Sequence, residues 1–537
     1  MLCTRLTALG FLATTTLIHG CFSEPANSCD SEDCRGSSSG DAGESGTTPG
    51  APTTGETDDA ESTDDSEGTD DSGVGDTTGS LGSEGGQDAS TGGLEASSSG
   101  EETDSGRPTA ECGNGVLERG EACDDGEGNS DTLADACRTS CALPTCGDAV
   151  IDSEEDCDEE ATGCLVDCSF DAPVFGEFPE ATLVIGQPDF TSGEANAFEY
   201  AFRFPRDVLT HQGRLYVTDG IQAGIYVFDE VPNQAGVEPD HVLGRDGIGG
   251  SELPLGPNSV GAFSRGMASD GTRFGIADVG APRVLLYNEA PVETSDPDVV
   301  IGQPDLQSSG NAVGPNRFSG GPSDLLFAGG RMVVSDSGGN RVLIWNTIPT
   351  ENDTPADLVL GQATFEEAEP NRGGEPSAST LSAPTAVWSD GGRLAIADRN
   401  NQRVLLWNSF PTEPGEPADV VLGQPDASSS ATGSGATGFH NPQDVLFVGG
   451  RLYVSDQLNH RVLFYEGWPA VDGQAADGVI GQSSFENSRA NDDDQDGSTD
   501  ETPSARTLAR PFGLHFDQGR LFVTDTFNHR TLVFEGS

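Results

Sequence analysis

The sequence contains no lysine, since all 26 basic residues among its 537 are arginines. This absence excludes a Schiff-base lysine and the lysine of a Walker-type phosphate loop. Basic residues of any kind are few beside 90 acidic ones, and a net charge of −64 repels nucleic-acid phosphates. The composition therefore predicts no nucleic-acid partner.

Apolar runs long enough for a stable transmembrane helix are also absent. The apolar stretch that follows Arg5 is short, so residues 1–20 are predicted to be an export signal. The signal ends in Ile18-His19-Gly20-Cys21, which resembles the lipobox of bacterial lipoproteins, although His19 departs from the usual small residue. The resemblance implies a lipid on Cys21 that contacts a membrane, and a place at the outer membrane or cell surface. The alternative is a secreted protein in which Cys21 is free or disulfide-bonded.

Apolar residues are scarce from residue 21 to residue 111, which consists mainly of Ser, Gly, Thr, Asp and Glu. Between residues 22 and 111 there are 23 acidic residues against Arg35 and Arg107. A segment with so little to bury is predicted to be disordered, and it would serve as a tether that holds the rest of the chain away from a membrane.

Cysteine is absent after Cys168 and concentrated before it, in a module predicted over residues 112–170. The module contains two units, each with a Cys-x10-Cys and a Cys-x3-Cys spacing, and it resembles the cysteine-rich repeat of myxobacterial surface proteins. Because an exported chain meets an oxidising compartment, disulfides of unassigned pairing are predicted, with zinc as the alternative. The cysteines concerned are Cys112, Cys123, Cys137, Cys141, Cys146, Cys157, Cys164 and Cys168.

The rest of the chain repeats the pattern Asp-x4-Arg-Val-Leu followed by two apolar residues. The first of six copies has Gly224 in place of the arginine, and the motif aspartates are Asp219, Asp278, Asp336, Asp398, Asp456 and Asp525. Each unit holds four short runs of β-forming residues separated by turn residues. The repeat predicts an all-β, six-bladed β-propeller over residues 173–537, in which Asp and Arg form a partly buried structural ion pair across a turn.

A second marker, an apolar residue followed by Gly-Gln or Gly-Arg, occurs before the first repeat at Ile185-Gly186-Gln187 and is missing after the last. Residues 181–187 are therefore predicted to supply the fourth strand of the last blade and to close the ring against the strand around 530–534. The recurrent large aromatic residues are predicted to pack between blades, and they are Tyr287, Trp345, Trp407 and Tyr465.

The segment from Val454 to Arg461, with Asp456 and Asn459 inside it, is similar to the core of the NHL repeat. The resemblance covers residues 181–534 and implies a six-bladed propeller of the NHL type. The copies that begin at Asp219 and Asp278 lack the asparagine, so irregular turns are expected in the first two blades.

Acidic and small residues alternate twelve positions before the motif aspartates, on the strand expected to line the central channel. The acidic positions are Asp207, Asp324 and Asp444, and the small ones are Gly266, Ala386 and Gly513. Carboxylates on alternate blades predict a channel site for a hard cation such as calcium. The alternative is that each carboxylate caps backbone amides of a neighbouring blade.

An acidic insertion in the last unit begins at Asn491. Positions 1, 3, 5 and 9 of an EF-type calcium loop are matched by Asp492, Asp494, Asp496 and Asp500, but Pro503 replaces the glutamate of position 12. This pattern predicts a weak calcium site, with a solvated acidic loop as the alternative.

No catalytic residue is predicted from these motifs. Some six-bladed relatives of NHL proteins are lyases that use histidines on a channel metal, and His211, His440 and His515 lie near the expected inner strands at unequal positions. The sequence favours a lipid-anchored cell-surface binding or scaffold protein that presents its propeller to a protein, a peptide or a glycan. A metal-dependent lyase or hydrolase with a site at the channel mouth is the alternative.

Overall fold

A computed structural model describes residues 129–130, 175–195, 201–221, 223–248, 250–256, 259–260 and 264–536. The predicted signal, Cys21, the tether and nearly all of the cysteine module lie outside the described residues. The predictions about them therefore stay predictions. In the part of the chain that is described, no helix is both long enough and apolar enough to cross a membrane.

Within the described ranges the chain forms six sheets, each of four antiparallel strands. The first strands of blades 1 to 6 are β2 (Pro205–His211), β6 (Met267–Ser269), β10 (Asp324–Ala328), β14 (Pro384–Ser389), β18 (Pro442–Val448) and β22 (Pro511–Asp517). The second strands are β3 (Arg214–Asp219), β7 (Phe274–Asp278), β11 (Arg331–Asp336), β15 (Leu394–Asp398), β19 (Arg451–Asp456) and β23 (Arg520–Asp525). The third strands are β4 (Gly224–Phe228), β8 (Arg283–Tyr287), β12 (Arg341–Trp345), β16 (Arg403–Trp407), β20 (Arg461–Glu466) and β24 (Arg530–Glu535). The fourth strands are β5 (His241–Leu243), β9 (Val299–Ile301), β13 (Leu358–Leu360), β17 (Val420–Leu422), β21 (Gly478–Ile480) and, for the last blade, β1 (Leu183–Ile185).

The six sheets are arranged in a closed ring around a central channel. Each first strand contacts the first strands of both neighbouring blades, and β22 of the last blade returns to β2 of the first. The strand β1 pairs antiparallel with β24, with Leu183 opposite Val533 and Ile185 opposite Thr531. The predicted six-bladed propeller and its closure by the N-terminal strand are both confirmed.

The second and third strands of each blade are buried on both faces, because every blade is covered by a neighbour on either side. For example, every residue of β12 and β16 is buried. The side chains of Trp345 and Trp407 are 1% and 2% exposed and belong to the clusters between blades. The predicted packing role of these aromatic residues is confirmed.

The ring has two faces that carry different connections. The motif face holds the turn between the second and third strands, together with the loop that leads to the next blade. The hairpin face holds the turn between the first and second strands and the loop between the third and fourth. In blades 3 to 6 the motif turn is a 3-10 helix, over Ser337–Gly339, Arg399–Asn401, Gln457–Asn459 and Thr526–Asn528. Blade 2 uses a turn at residues 279–282 instead, as expected for a copy that lacks the asparagine.

Candidate functional site

The repeated Asp and Arg form fully buried ion pairs on the motif face of blades 2 to 6. The Arg Nε donates to the Asp Oδ2 at 2.7–2.9 Å, and both side chains are 0% exposed. In blade 4, Arg403 also donates to the carbonyl oxygens of Ala427, Ser377 and Thr380 at 2.6–2.9 Å. Burial raises the pKa of Asp398, and the charge of Arg403 opposes that rise. The pair is thus buried more deeply than the sequence suggested, and it joins the loop before β14 to the loop after β17.

The first blade has Gly224 in place of the motif arginine, and the side chain of Arg245 lies beside it. A Cβ added to Gly224 would lie 2.9 Å from Cδ of Arg245, so the stem of Arg245 already fills the space beside Gly224. Arg245 itself stands where the other blades have the glutamine of the apolar-Gly-Gln marker. The two departures from the repeat in blade 1 therefore compensate for each other.

The three predicted channel aspartates lie on first strands and are partly accessible from the channel. Each accepts one amide hydrogen bond from the residue that follows it and one from the next blade. The bonds to the next blade run from Met267 to Asp207 at 2.7 Å, from Val387 to Asp324 at 2.9 Å and from Leu514 to Asp444 at 2.6 Å. These contacts match the alternative in which the carboxylates cap amides of a neighbouring blade.

Two of the three small residues that alternate with these aspartates are required to be glycine by close packing. A Cβ on Gly266 would lie 2.5 Å from both Cα and Oδ1 of Asp324, and a Cβ on Gly513 would lie 2.9 Å from the Cα of Asp207. Real Cβ atoms do not approach so closely, so packing accounts for the two glycines, while Ala386 carries a Cβ at the third small position.

The channel carboxylates influence one another's pKa values. Burial and the neighbouring Asp444 raise the pKa of Asp207 well above its ordinary value, and burial raises the pKa of Asp444 to about 7. Among the described residues, however, the only set of three potential ligand atoms within 4.8 Å of one another lies elsewhere. The channel aspartates are not brought together closely enough to share one ion directly, and the channel cation stays a prediction.

That set belongs to the acidic insertion on the motif face, where Asp492, Asp494 and Asp500 come together. Asp492 is buried, and its two carboxylate oxygens accept the amides of Asp496 and Gly497 at 3.0 and 3.1 Å. Asp496 lies outside the set, and its own carboxylate accepts the amide of Ser498 at 2.8 Å. Three of the four predicted calcium residues are thus assembled, and the fourth is not among them.

The three histidines of the alternative metal site do not form such a set. His515 accepts the backbone amide of Thr210 through Nε2 at 3.0 Å, and its burial lowers its pKa to about 4. Nδ1 of His211 lies 2.6 Å from Oγ of Ser269 instead. His440 precedes β18, and its backbone amide donates to Asp456 at 2.6 Å. This geometry does not favour a histidine-bound metal at the channel mouth.

A cluster that the sequence reasoning missed lies on the hairpin face between blades 4 and 5. It consists of Trp388, Phe447 and Trp468, with Arg393 beside them. An alignment of the repeats contains one signal of it, because the position of Trp388 is held by Leu209, Ala268, Leu326, Leu446 and His515 in the other blades.

The described part of the chain is thus a six-bladed β-propeller with structural ion pairs inside and two unlike faces.

No protein-family model and no curated protein sequence matches this chain. A structural genomics protein of unknown function from Bacteroides thetaiotaomicron is similar at 12% identity, over 66% of this chain and 74% of that one, with a TM-score of 0.38. The WD40 β-propeller domain of Doa1 matches at 9% identity over 62% and 94% of the two chains, with a TM-score of 0.32. Myxococcus xanthus glutaminyl cyclase matches at 13% identity over 66% and 97%, with a TM-score of 0.31. Similarities this weak carry no argument about function.

Proposed function

We propose that this protein is a lipid-anchored binding or scaffold protein of the cell surface, whose NHL-like propeller recognises a protein, a peptide or a glycan. One observation carries the proposal. The Asp–Arg pairs that recur in blades 2 to 6 are satisfied within the ring, as Arg403 and Asp398 illustrate. A ring of this kind is a rigid frame, and recognition is left to the groups on its faces that differ between blades.

The anchor is supported by the lipobox-like segment that ends at Cys21 and by the acidic tether that follows. Fractionation of cells that express the full chain tests it. We expect the wild-type chain in the membrane fraction and Cys21→Ser in the soluble exported fraction. A Cys21→Ser chain that stays with the membrane would refute the anchor.

The binding role is tested by capture from a cell-envelope extract on the immobilised full-length chain. We expect at least one protein or glycan to be retained and to be displaced by free chain. Bovine serum albumin coupled at equal density serves as the control surface. Retention no greater than on that control refutes the binding role, whatever the result for the anchor.

We also propose that the acidic insertion binds calcium through Asp492, Asp494 and Asp500. Their oxygens lie within 4.8 Å of one another, which suits a hard cation with oxygen ligands. The absence of a glutamate at position 12 makes the expected affinity weak.

A further inference from the structure

Three aromatic side chains from separate segments meet on the hairpin face. Trp388 lies in β14, Phe447 lies in β18, and Trp468 follows β20. Their ring centroids are 5.3–5.5 Å apart, and the ring planes are inclined by 44–76° to one another. All three side chains are partly exposed. They include two of the four tryptophans of the chain, and the other two, Trp345 and Trp407, are buried.

The fold does not require this aromatic patch, because a neighbouring pair of blades does without it. Between blades 3 and 4 the guanidinium of Arg331 lies 4.5 Å above the ring of Phe410, at positions equivalent to Arg393 and Trp468. There the residue equivalent to Trp388 is Leu326. One Arg–aromatic stack therefore suffices to join two blades, and the second tryptophan goes beyond that structural need.

Polar groups border the patch on one side. The guanidinium of Arg393 lies 4.7 Å from the centre of Phe447 and 4.6 Å from that of Trp468. It is held in place by Asp390, whose Oδ2 lies 2.7 Å from Nη2. The indole N–H of Trp468 donates to Oδ1 of Asn408 at 2.9 Å. Apolar ring surface and fixed hydrogen-bonding groups thus stand side by side.

These features narrow the class of ligand. A cationic ligand is disfavoured, because the guanidinium of Arg393 already lies over all three rings, 4.6–5.8 Å from their centres. A polyanion is disfavoured by the net charge of −64. A protein partner is disfavoured by area, because three partly exposed side chains offer far less than the roughly 800 Å² that each partner buries in a stable protein interface.

A pyranose sugar satisfies all of these constraints. It is neutral, its C–H face is apolar, and the hydroxyl groups at its edge can bond to an arginine, a carboxylate and an amide. We propose that Trp388, Phe447 and Trp468 form a binding patch for a neutral oligosaccharide, bordered by Arg393, Asp390 and Asn408. This inference rests on the proposed binding function and names its ligand class.

The test is a titration of the purified full-length chain with neutral hexasaccharides of β-1,4-linked glucose, β-1,4-linked N-acetylglucosamine and α-1,4-linked glucose. Tryptophan fluorescence reports directly on the patch, because the other two tryptophans are buried. We expect at least one sugar to shift the emission of the wild-type chain. Trp468→Ala and Trp388→Ala should each weaken binding, measured by calorimetry, by about tenfold or more.

The matched control is Phe410→Ala, which removes the equivalent stack under Arg331 and leaves the patch intact. Its affinity should stay within about twofold of the wild-type value. Thermal unfolding of each variant confirms that it is folded. The patch assignment is overturned if none of the three sugars binds, or if Trp468→Ala and Phe410→Ala bind alike. An envelope component captured equally by the wild-type chain and Trp468→Ala would also overturn it, while the broader binding role would stand.

Discussion

The propeller contains two sets of recurrent arginines, one in blades 2 to 6 and one in all six blades, and their surroundings differ sharply. One set is the motif arginines, such as Arg403, which are fully buried with their aspartates. The other stands five residues before each motif aspartate on the hairpin face and comprises Arg214, Arg273, Arg331, Arg393, Arg451 and Arg520. The exposed set is the more regular of the two, with six members against five, so recurrence alone does not tell which one holds the fold together.

The partners of the two sets show the difference. In each of blades 2 to 6 the motif arginine pairs with the motif aspartate of its own blade. It also donates to carbonyl groups of the loops, as Arg403 does. The hairpin arginines have changing partners: Arg214 pairs with Asp229, fifteen residues after it, whereas Arg393 pairs with Asp390, three residues before it. Arg331 donates to the carbonyl of Gly391 and covers an aromatic ring. Buried charges need a complete and constant set of hydrogen bonds, whereas exposed ones are partly solvated and are free to vary.

The largest effect should come from breaking a buried pair. Arg403→Ala leaves Asp398 without its charged partner in the interior, so we expect a loss of about 3–5 kcal/mol in the free energy of unfolding, measured in urea. Arg214→Ala is the exposed counterpart, since Arg214 and Asp229 are 35% and 50% exposed, and it should cost less than about 1 kcal/mol. Equal losses in the two variants would contradict the distinction between the sets.

Sequence reasoning predicted the architecture because the fold depends on local patterns at a constant spacing. Four short apolar runs per unit define the strands, and the position of Ile185-Gly186-Gln187 ahead of the first unit predicts the closure by β1. The depth of burial of the Asp–Arg pairs was underestimated, because it depends on the loops that cover each pair. Residues such as Ser377 and Ala427 lie more than twenty positions from Arg403.

The candidate sites were predicted less completely, since they depend on contacts between separate segments. The alternation around Asp324 is visible in the sequence, but Gly266 is required there because a Cβ at that position would lie 2.5 Å from Asp324 in the next blade. The calcium pattern includes Asp496, which lies outside the assembled set. The aromatic patch joins Trp388 to Trp468, and only the packing of blade 4 against blade 5 brings the two together.

Blade 1 offers a way to sharpen the comparison, because the stem of Arg245 lies beside Gly224, the residue that replaces the motif arginine there. Gly224→Arg alone should cost about 1–3 kcal/mol, since the new side chain meets Arg245. Adding Arg245→Gln restores the pattern of the other blades and should recover most of that loss. The measurement is a double-mutant cycle of unfolding free energies. A double variant no more stable than Gly224→Arg would show that the two positions do not compensate.

The calcium loop extends the comparison to carboxylates that lack an arginine. At a calcium concentration ten times the dissociation constant, binding should stabilise the wild-type chain by about 1.4 kcal/mol. Asp494→Asn should abolish this gain, seen as a calcium-dependent rise in melting temperature, because Asp494 belongs to the assembled set. Asp496→Asn should leave the gain intact, since Asp496 lies outside the assembled set. Loss of the gain in both variants would favour the full sequence pattern over the observed geometry.

A pH-dependent effect should come from a buried group outside both arginine sets, His515. Its burial holds its pKa at about 4, against an ordinary value of 6.5. Between these values the unfolded chain binds a proton that the folded chain does not, so the stability contributed by neutral His515 is complete above pH 6.5 and is lost as the pH falls towards 4. His515→Gln has no group that titrates in this way, so its free energy of unfolding should not fall with the wild-type value. The variant should be less stable than the wild-type chain at pH 8, and the difference between the two free energies of unfolding should narrow by pH 5.

The control is Arg317→Ala, at a pair with Asp353 that is remote from the histidine in sequence. Its difference from the wild-type free energy of unfolding should stay constant over that range. A gap for His515→Gln that is equally constant would mean that the histidine is not held neutral by the fold.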